Sequence, residues 1–148
     1  MKQYADVDDD QFVHLCFSNK VYGTPFFVVK DALTKSIVIA IRGTMSLADI
    51  ITDMGGWPAA MDVEGLPPSF KGHHGMILCA KYVVNKLDEL KILPQLMEEN
   101  PGYNLVITGT SLGAGTSAIM AMILKQKFPE LKCYAFSPPG NFRSHNKN

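Results

Sequence analysis

The chain has 148 residues, of which 47% are hydrophobic and 19% charged, a composition typical of one folded domain rather than of a disordered chain. Its 14 basic and 14 acidic residues balance, and no basic block with interleaved aromatic residues occurs. Neither nucleic-acid binding nor a general attraction to anionic lipid is therefore predicted. Cys16, Cys79 and Cys133 lie far apart without metal-binding spacing, so we expect buried free thiols in a reducing compartment.

No targeting segment or membrane-spanning segment is predicted. The acidic run Asp8 to Asp10 interrupts the N-terminal region, where a signal peptide requires continuous apolar residues. The longest apolar run, residues 118–124, is far shorter than the ~20 residues that a spanning helix needs. Expressed alone, the chain is expected to be soluble and cytoplasmic, or at most to contact a membrane surface.

Two short runs in the first part of the chain predict strands. Residues 26–29 (FFVV) follow a Gly-Thr-Pro turn and are predicted to be a strand. Residues 36–41 (SIVIAI) form the continuous β-branched run that is typical of a strand buried on both faces. Residues 31–35 would connect the two strands as a hairpin.

The next region predicts a short helix and then a long loop. Ser46 is a candidate N-cap with Asp49 three residues later, so a helix is expected within residues 44–54. Residues 55–75 are rich in glycine and proline, and a loop of this length is expected to be functional or mobile. Its large apolar side chains either contact lipid or cover the edge of the core; they are Trp57, Met61, Leu66 and Phe70.

The second half of the chain alternates between helices and strands. Apolar residues from Met76 to Leu90 recur at helical spacing, and Pro101-Gly102 ends this helical region. The later elements are predicted as a strand at 105–108, a broadly buried helix at 112–128 that Pro129 closes, and a strand at 133–136. This alternation predicts an α/β fold with a mostly parallel sheet, right-handed crossovers and flanking helices.

The sequence Gly109-Thr110-Ser111-Leu112-Gly113 lies where the strand of residues 105–108 meets the following helix. A tight strand-to-helix turn holds its central side chain at the carboxyl edge of the sheet, and it needs small neighbours because the two backbones come close together. Gly109 and Gly113 supply that room. We interpret the pentapeptide as a nucleophile elbow with Ser111 as the candidate nucleophile; a serine that only caps the helix is the alternative.

Two candidate donors could stabilise the negative charge that develops when Ser111 attacks a carbonyl group. The backbone N–H of Leu112 lies at the helix N-terminus, where unpaired donors and the helix dipole favour an anion. A second donor must come from another strand end. Thr44 follows the buried strand of residues 36–41 through Arg42-Gly43 and offers an N–H and a hydroxyl. We predict that Thr44 and Leu112 form an oxyanion hole.

With these features in place, the chain resembles the class 3 (fungal-type) lipases and, within them, the sn-1-specific diacylglycerol lipases. The matching stretches extend from Thr24 to Gly140 and read TPFFVV, IVIAIRGTMSLADIITDMGG, KGHHGMILCAKYV, SLGAGTSAI and LKCYAFSPPG. One position departs from the family's pattern, because Thr110 stands where the family usually has histidine. We expect this difference to alter packing or to tune the site rather than to abolish the chemistry.

The resemblance implies an α/β-hydrolase fold and a serine lipase that cleaves diacylglycerol to monoacylglycerol and a fatty acid in lipid catabolism. It implies Ser111 as the nucleophile, with Thr44 and the Leu112 N–H as oxyanion donors. It also implies association with the plasma membrane, an acylglycerol substrate and the use of calcium. The residues alone predict no metal or cofactor. Asp49 and Asp53 could form a calcium site, but such a site needs about six or more oxygen ligands, so capping a helix or supporting the oxyanion loop is favoured.

The partners that would activate Ser111 are missing from their expected positions. In α/β-hydrolases an acid and then a histidine follow the serine, but residues 112–148 contain no aspartate, and their only candidates are Glu130 and His145. Glu130 is expected at the opposite edge of the sheet. We therefore expect residues 1–148 to be an incomplete class 3 lipase domain that stops before the catalytic Asp and His and ends in a polar tail, residues 141–148.

The remaining histidines fit the missing roles less well. His73 and His74 precede the serine, so their order is wrong for this fold, and we interpret them as solvated loop residues near a helix start. His14 is interpreted as a core or surface residue. If the 148 residues are the whole product, the alternative function is that of a catalytically inactive isoform that at most binds lipid or a partner.

Overall fold

The computed structural model describes residues 11–17, 23–43, 58–61 and 70–139. The strands within these ranges are β1 (Phe12–Cys16), β2 (Phe26–Asp31), β3 (Ser36–Ile41), β4 (Pro58–Ala60), β5 (Lys71–His73), β6 (Asn104–Thr110) and β7 (Lys132–Phe136). The helices are α1 (His74–Glu89), α2 (Ile92–Glu99) and α3 (Leu112–Leu124).

Five of the strands form one mixed sheet in the order β1-β2-β3-β6-β7. β3, β6 and β7 run parallel, with Ile41 opposite Gly109 and Thr110 opposite Phe136. β2 pairs antiparallel with β3 through a hairpin at residues 32–35, and β1 pairs antiparallel with β2. The carboxyl ends of β1, β3, β6 and β7 therefore meet at one edge of the sheet, which is where open α/β sheets place their ligand sites.

The predicted α/β class is confirmed, and α3 is the helix that covers the sheet. It packs against β3, β6 and β7, while α1 packs on α3. The side chains of β3 and β6 on this covered face are at most 3% exposed; they are Ile37, Ile39, Ile41, Leu105 and Ile107. Because α3 lies between the sheet and α1, it is buried on nearly every side, as its apolar sequence predicts.

Two helix boundaries differ from the sequence predictions. The helical region that starts near Met76 breaks at Lys91, whose φ of 52° is left-handed. The chain changes direction there, so Leu90 is 50% exposed instead of joining the core. α3 ends at Leu124 rather than at residue 128, because the N–H groups of Lys127 and Phe128 both turn back to the carbonyl of Leu124.

Residues 55–75 were predicted to form one long loop, but their described part contains regular structure. β4 and β5 pair antiparallel with Pro58 opposite His73, and α1 follows β5 directly. Met61 is 3% exposed and belongs to the core, and Phe70 packs partly buried against the same core. These two side chains therefore cover the core edge; Trp57 and Leu66 lie outside the described residues.

β1 was not predicted from the sequence. Its five residues, FVHLC, are short and carry a histidine in the middle, and their strand character comes from pairing with β2 across an irregular register between Phe12 and His14. His14 is half-buried with its ring centroid 5.7 Å from that of Phe26. The three cysteines are free thiols, with Cys79 buried and Cys16 and Cys133 half-buried.

Some predictions concern residues outside the described ranges, namely the helix within residues 44–54 and the polar tail at residues 141–148. Among the residues that are described, no helix is both long enough and apolar enough to cross a bilayer. The buried α3, at 13 residues, owes its apolar character to its position between the sheet and α1.

The face of the sheet opposite α3 is apolar, and none of the described helices packs along it. One row crosses all five strands, because the registers align Leu15, Phe27, Ala40, Thr108 and Tyr134. Leu15 is 46% exposed, Tyr134 is 52% exposed, and Phe136 at the end of β7 is 57% exposed. We call this row together with Phe136 the open face. An exposed apolar patch on an edge strand promotes association between chains.

We expect the 148-residue chain to self-associate through the open face. Replacing Tyr134 and Phe136 together by lysine should shift the protein toward the monomer in sedimentation velocity, because the charges oppose strand-to-strand contact. Leu33→Lys is the matched control, since Leu33 is 93% exposed but lies in the hairpin turn away from this face. A monodisperse wild-type monomer would contradict the prediction.

Candidate active site

Ser111 lies between the last residue of β6 and the first residue of α3, with φ 54° and ψ −121°. A positive φ is unfavourable for a residue with a side chain, and such strain persists only where the surroundings hold it in place. The Ser111 side chain is half-buried, so it is not sealed in the interior. The turn therefore presents a strained, accessible hydroxyl at the carboxyl edge of the sheet.

Two glycines allow the backbones to approach this closely. A β-carbon at Gly109 would lie 2.5 Å from the carbonyl oxygen of Gly113, and one at Gly113 would lie 2.5 Å from the carbonyl oxygen of Ile41. Both atoms that would be struck belong to the backbone, which cannot move aside as the end of a side chain can. The start of α3 is thus held against the ends of β3 and β6 at distances that only glycine permits.

The turn is also fixed from both neighbouring strand ends. A β-carbon at Gly43 would lie 2.6 Å from the carbonyl oxygen of Thr110, so the segment that leaves β3 touches the residue before Ser111. On the other side, the N–H of Ser111 donates a 3.0 Å hydrogen bond to the carbonyl of Phe136 in β7. Ser111 is therefore oriented by three adjacent parallel strands.

The first N–H groups of α3 form the positive end of a buried helix. The carbonyl of Ser111 accepts bonds from the N–H groups of Ala114, at 3.0 Å, and Gly115, at 3.2 Å, which closes the first turn. Leu112 is the first helical residue, so its N–H has no acceptor within the helix and points out of the helix N-terminus. Thr44 lies outside the described residues, but its neighbour Gly43 is in contact with the turn.

A contact that the sequence did not reveal joins α1 to the first turn of α3. A β-carbon at Gly115 would lie 2.4 Å from the sulfur of Met76, so the methionine side chain fills the space that the glycine leaves. Met76 is 2% exposed. α1, which follows β5 directly, therefore packs against the first turn of α3. The small residues that follow Ser111 in the sequence indicate such close packing, but they do not identify Met76 as the partner.

His73 corrects a sequence interpretation. It was interpreted as a solvated loop residue, but it is 3% exposed, and neither ring nitrogen has a hydrogen-bond partner among the described residues. The reason is its pairing with Pro58 in the β4–β5 sheet, which turns the ring inward just before α1. Burial lowers the pKa of His73 below its ordinary value, and the neighbouring His74 lowers it further. His74 itself is exposed, as expected.

The charged candidates do not gather around Ser111 in the described part of the chain. Glu130 is exposed and precedes β7, so it lies at the opposite end of the parallel strands from Ser111, as expected. Asp49, Asp53 and His145 lie outside the described residues. Within the described ranges, no three side chains of His, Cys, Asp or Glu form a group that could hold a metal ion, so this part does not fit calcium.

Comparison with known proteins agrees with this geometry. A family model described as Lipase (class 3) matches residues 38–145. The chain is 41% identical over 139 residues to diacylglycerol lipase-alpha of Homo sapiens. The aligned region covers 90% of this chain and 13% of that protein. It is 39% identical over 137 residues to diacylglycerol lipase-beta of Mus musculus, and the aligned region covers 93% of this chain and 20% of that protein. The chain thus spans a fifth or less of the length of these curated relatives.

Solved lipase structures align with the fold of this chain. The Rhizomucor miehei lipase in complex with its propeptide aligns with a TM-score of 0.72 and 26% identity, over 88% of this chain and 42% of that one. The architecture is therefore of the α/β-hydrolase type found in the fungal lipases.

The strain at Ser111 predicts an unusual order of stabilities. Ser111→Gly should be more stable than Ser111→Ala by about 1 kcal/mol, because glycine adopts positive φ without steric cost. Thermal or urea unfolding of the two variants measures the difference. Ser36 in β3 is the control position, where the glycine variant should be the less stable of the pair. Equal stabilities at position 111 would show that the turn is unstrained.

The buried imidazole of His73 predicts a loss of stability in acid. Its pKa is lowered in the folded state, so the unfolded chain takes up the proton first as the pH falls below the ordinary value of about 6.5. The midpoint of thermal unfolding should therefore be constant above that pH and fall below it. His73→Phe should flatten this dependence, whereas His74→Phe should weaken it only slightly, because burial is the larger cause of the lowered His73 pKa and the charge of His74 the smaller one. An equal acid sensitivity in both variants would contradict the assignment to His73.

Proposed function

Since this chain belongs to the class 3 lipase family, we propose that it takes part in the hydrolysis of acylglycerol esters, with Ser111 as the nucleophile. The observation that carries the proposal is the strained turn, which holds an accessible serine hydroxyl next to the Leu112 N–H, a donor with no acceptor inside its own buried helix. Such a turn stores strain that an ordinary helix cap does not need.

The proposed chemistry follows from the placement of these groups. The Ser111 hydroxyl oxygen attacks the ester carbonyl carbon and passes its proton to a general base. The carbonyl oxygen becomes an oxyanion, which accepts hydrogen bonds from the N–H of Leu112 and from Thr44. When the intermediate collapses, the alcohol leaves with a proton and Ser111 carries the acyl group. Water then attacks the acyl-serine, releasing the carboxylic acid and restoring the hydroxyl.

The base and the acid that orients it are proposed to follow residue 148. In this fold both come after the serine, in the order acid and then histidine. Residues 112–148 offer only Glu130, which is exposed at the far end of the strands, and His145. On this proposal the described region supplies the nucleophile, the Leu112 donor and the glycines that position them, Gly109 and Gly113.

We propose diacylglycerol as the substrate and a membrane surface as the place of reaction. The names of the two relatives, diacylglycerol lipase-alpha and diacylglycerol lipase-beta, support this substrate class. Diacylglycerol is insoluble in water, so the enzyme must meet it at a lipid surface, which agrees with a plasma-membrane location. No step of the proposed chemistry uses calcium, because the hydroxyl, the oxyanion donors and the base account for every proton and charge.

A fluorophosphonate probe tests the nucleophile. In a chain that continues past residue 148, we expect rapid covalent labelling that disappears in Ser111→Ala. Ser137→Ala is the matched control, since Ser137 is an exposed serine that also has a positive φ, 51°, at the end of β7 on the same sheet edge. In the 148-residue chain, labelling at Ser111 should persist but be slower by about three or more orders of magnitude, as expected without the base.

Two results would reject the proposal. Labelling that survives Ser111→Ala would show that another residue is the nucleophile. A continued chain that lacks an Asp and a His in that order, and that releases no fatty acid from diacylglycerol in mixed micelles, would favour the inactive, lipid-binding alternative. Fatty-acid release that stops in Ser111→Ala and continues in Ser137→Ala would support the proposal.

A further inference from the structure

Ser137 follows β7 directly, at the same sheet edge as Ser111, and it is exposed. Its φ of 51° is left-handed, so the chain bends out of the strand at this residue. The next residue is Pro138. An exposed serine hydroxyl immediately before a proline is the acceptor that proline-directed protein kinases select.

The chain contains one other hydroxyl residue directly before a proline, and the fold buries it. Thr24 precedes Pro25, but it is 4% exposed, and its hydroxyl has no hydrogen-bond partner within the described part of the chain. A kinase must enclose the acceptor residue and its neighbours, which a buried side chain prevents. Of these two residues, only Ser137 is therefore accessible in the folded chain.

The peptide group between Phe136 and Ser137 belongs to the support of the serine turn. The carbonyl of Phe136 accepts the 3.0 Å hydrogen bond from the Ser111 N–H. Leu112, whose N–H is the proposed oxyanion donor, follows Ser111 directly. A charge added to Ser137 would therefore lie close to the place where the oxyanion is proposed to form.

An exposed cation lies level with this position, two strands away. No carboxylate of the described residues forms an ion pair with the Arg42 guanidinium. Ile41, the residue before it, pairs with Gly109. Arg42 is therefore level with Thr110, the partner of Phe136 in β7. Two strand spacings, or about 10 Å, separate the backbones, and an extended arginine and a phosphoserine can together close this gap.

We propose that Ser137 is a phosphorylation site for a proline-directed protein kinase, and that its phosphate pairs with Arg42 across the end of β6. The Ser137 hydroxyl oxygen attacks the γ-phosphorus of ATP, the bond from that phosphorus to the leaving ADP breaks, and the hydroxyl proton passes to the kinase's base. The product carries a charge of about −2 at pH 7. A guanidinium can bind two phosphate oxygens at once, which favours this pairing.

The consequence for the reaction rests on the proposed function of Ser111. Attack on an ester places negative charge at the Leu112 N–H, and a phosphate dianion at the same sheet edge repels that charge. The pair of phosphate and guanidinium also covers the end of β6 beside the turn. Phosphorylation should therefore slow fluorophosphonate labelling of Ser111 by about tenfold, and by less at high salt, which screens the repulsion.

Peptide mapping by mass spectrometry tests the site itself. A chain that continues past residue 148 is incubated with an active proline-directed kinase and ATP. Within residues 1–148 we expect phosphate on Ser137, and none there in Ser137→Ala or Pro138→Ala. A synthetic peptide of residues 19–29 is the control for burial, because Thr24 is exposed in it and should be phosphorylated. A folded chain that stays unmodified at Ser137 would overturn the assignment.

Phosphorus NMR tests the pairing with Arg42 without depending on catalysis. The second pKa of a phosphoserine is about 6, and a neighbouring guanidinium lowers this pKa because it favours the dianion. Arg42→Gln should therefore raise the phosphate pKa. Lys132→Gln is the matched control, since Lys132 is exposed at the opposite end of β7, and should leave it unchanged. An equal phosphate pKa in the parent and in Arg42→Gln would overturn the pairing.

Labelling of Ser111 separates this inference from the proposed function. If the phosphorylated and unmodified chains are labelled equally fast, the proposed effect of the phosphate is overturned while the nucleophile stands. If Ser137 is phosphorylated and pairs with Arg42 but Ser111 is never labelled, the modification site stands and the proposed nucleophile fails. Ser137→Asp and Ser137→Asn repeat the comparison without a kinase, because both residues tolerate positive φ. Only the aspartate should slow labelling, by about threefold.

Discussion

The contact of backbone with backbone at Gly109, Gly113 and Ile41 is the constraint on which the rest of the site depends. It brings the N-terminus of α3 against the ends of β3 and β6 at distances that a β-carbon would prevent. The positive φ of Ser111 follows, since the chain must reverse direction within one residue to enter a helix placed so close to its own strand. The Leu112 N–H follows as a donor without an acceptor inside the helix, because Leu112 is the first helical residue and the helix starts at the sheet edge.

Much of this arrangement could be predicted from the sequence, because it depends on residues that lie close together in the chain. β2, β3 and β6 carry β-branched runs, and the small residues around Ser111 allow one kind of turn. What escaped prediction depends on partners distant in sequence. The burial of His73 requires pairing with Pro58, β1 becomes a strand by pairing with β2, and the break at Lys91 uses a left-handed residue that is not glycine. The donor role of Thr44 stays a prediction, since that residue lies outside the described ranges.

The two faces of the five-stranded sheet differ in whether a described helix covers them. One face is covered by α3 and carries the aliphatic core, with Ile37 and Ile39 fully buried. The other is apolar from β1 to β7, and none of the described helices packs along it. Beside the end of β3, the turn at Ser111 lies toward β6, and an apolar cavity of about 310 Å³ lies toward β2 against Leu15, Phe27 and Ala40 of the open face. One short piece of backbone, Ile41 to Gly43, therefore contacts the turn on one side while Ile41 and Arg42 bound an apolar space on the other.

The hydrogen bond from the Ser111 N–H to Phe136 has a consequence for how the serine acquires its orientation during synthesis. The acceptor is translated well after the pentapeptide and becomes available only when the last strand has docked beside its neighbour. A nascent chain that has emerged as far as α3 holds every residue of the turn but lacks the group that anchors its central amide. Orientation of the hydroxyl is in this sense a property of the assembled sheet edge, and a peptide copy of the turn would not reproduce it.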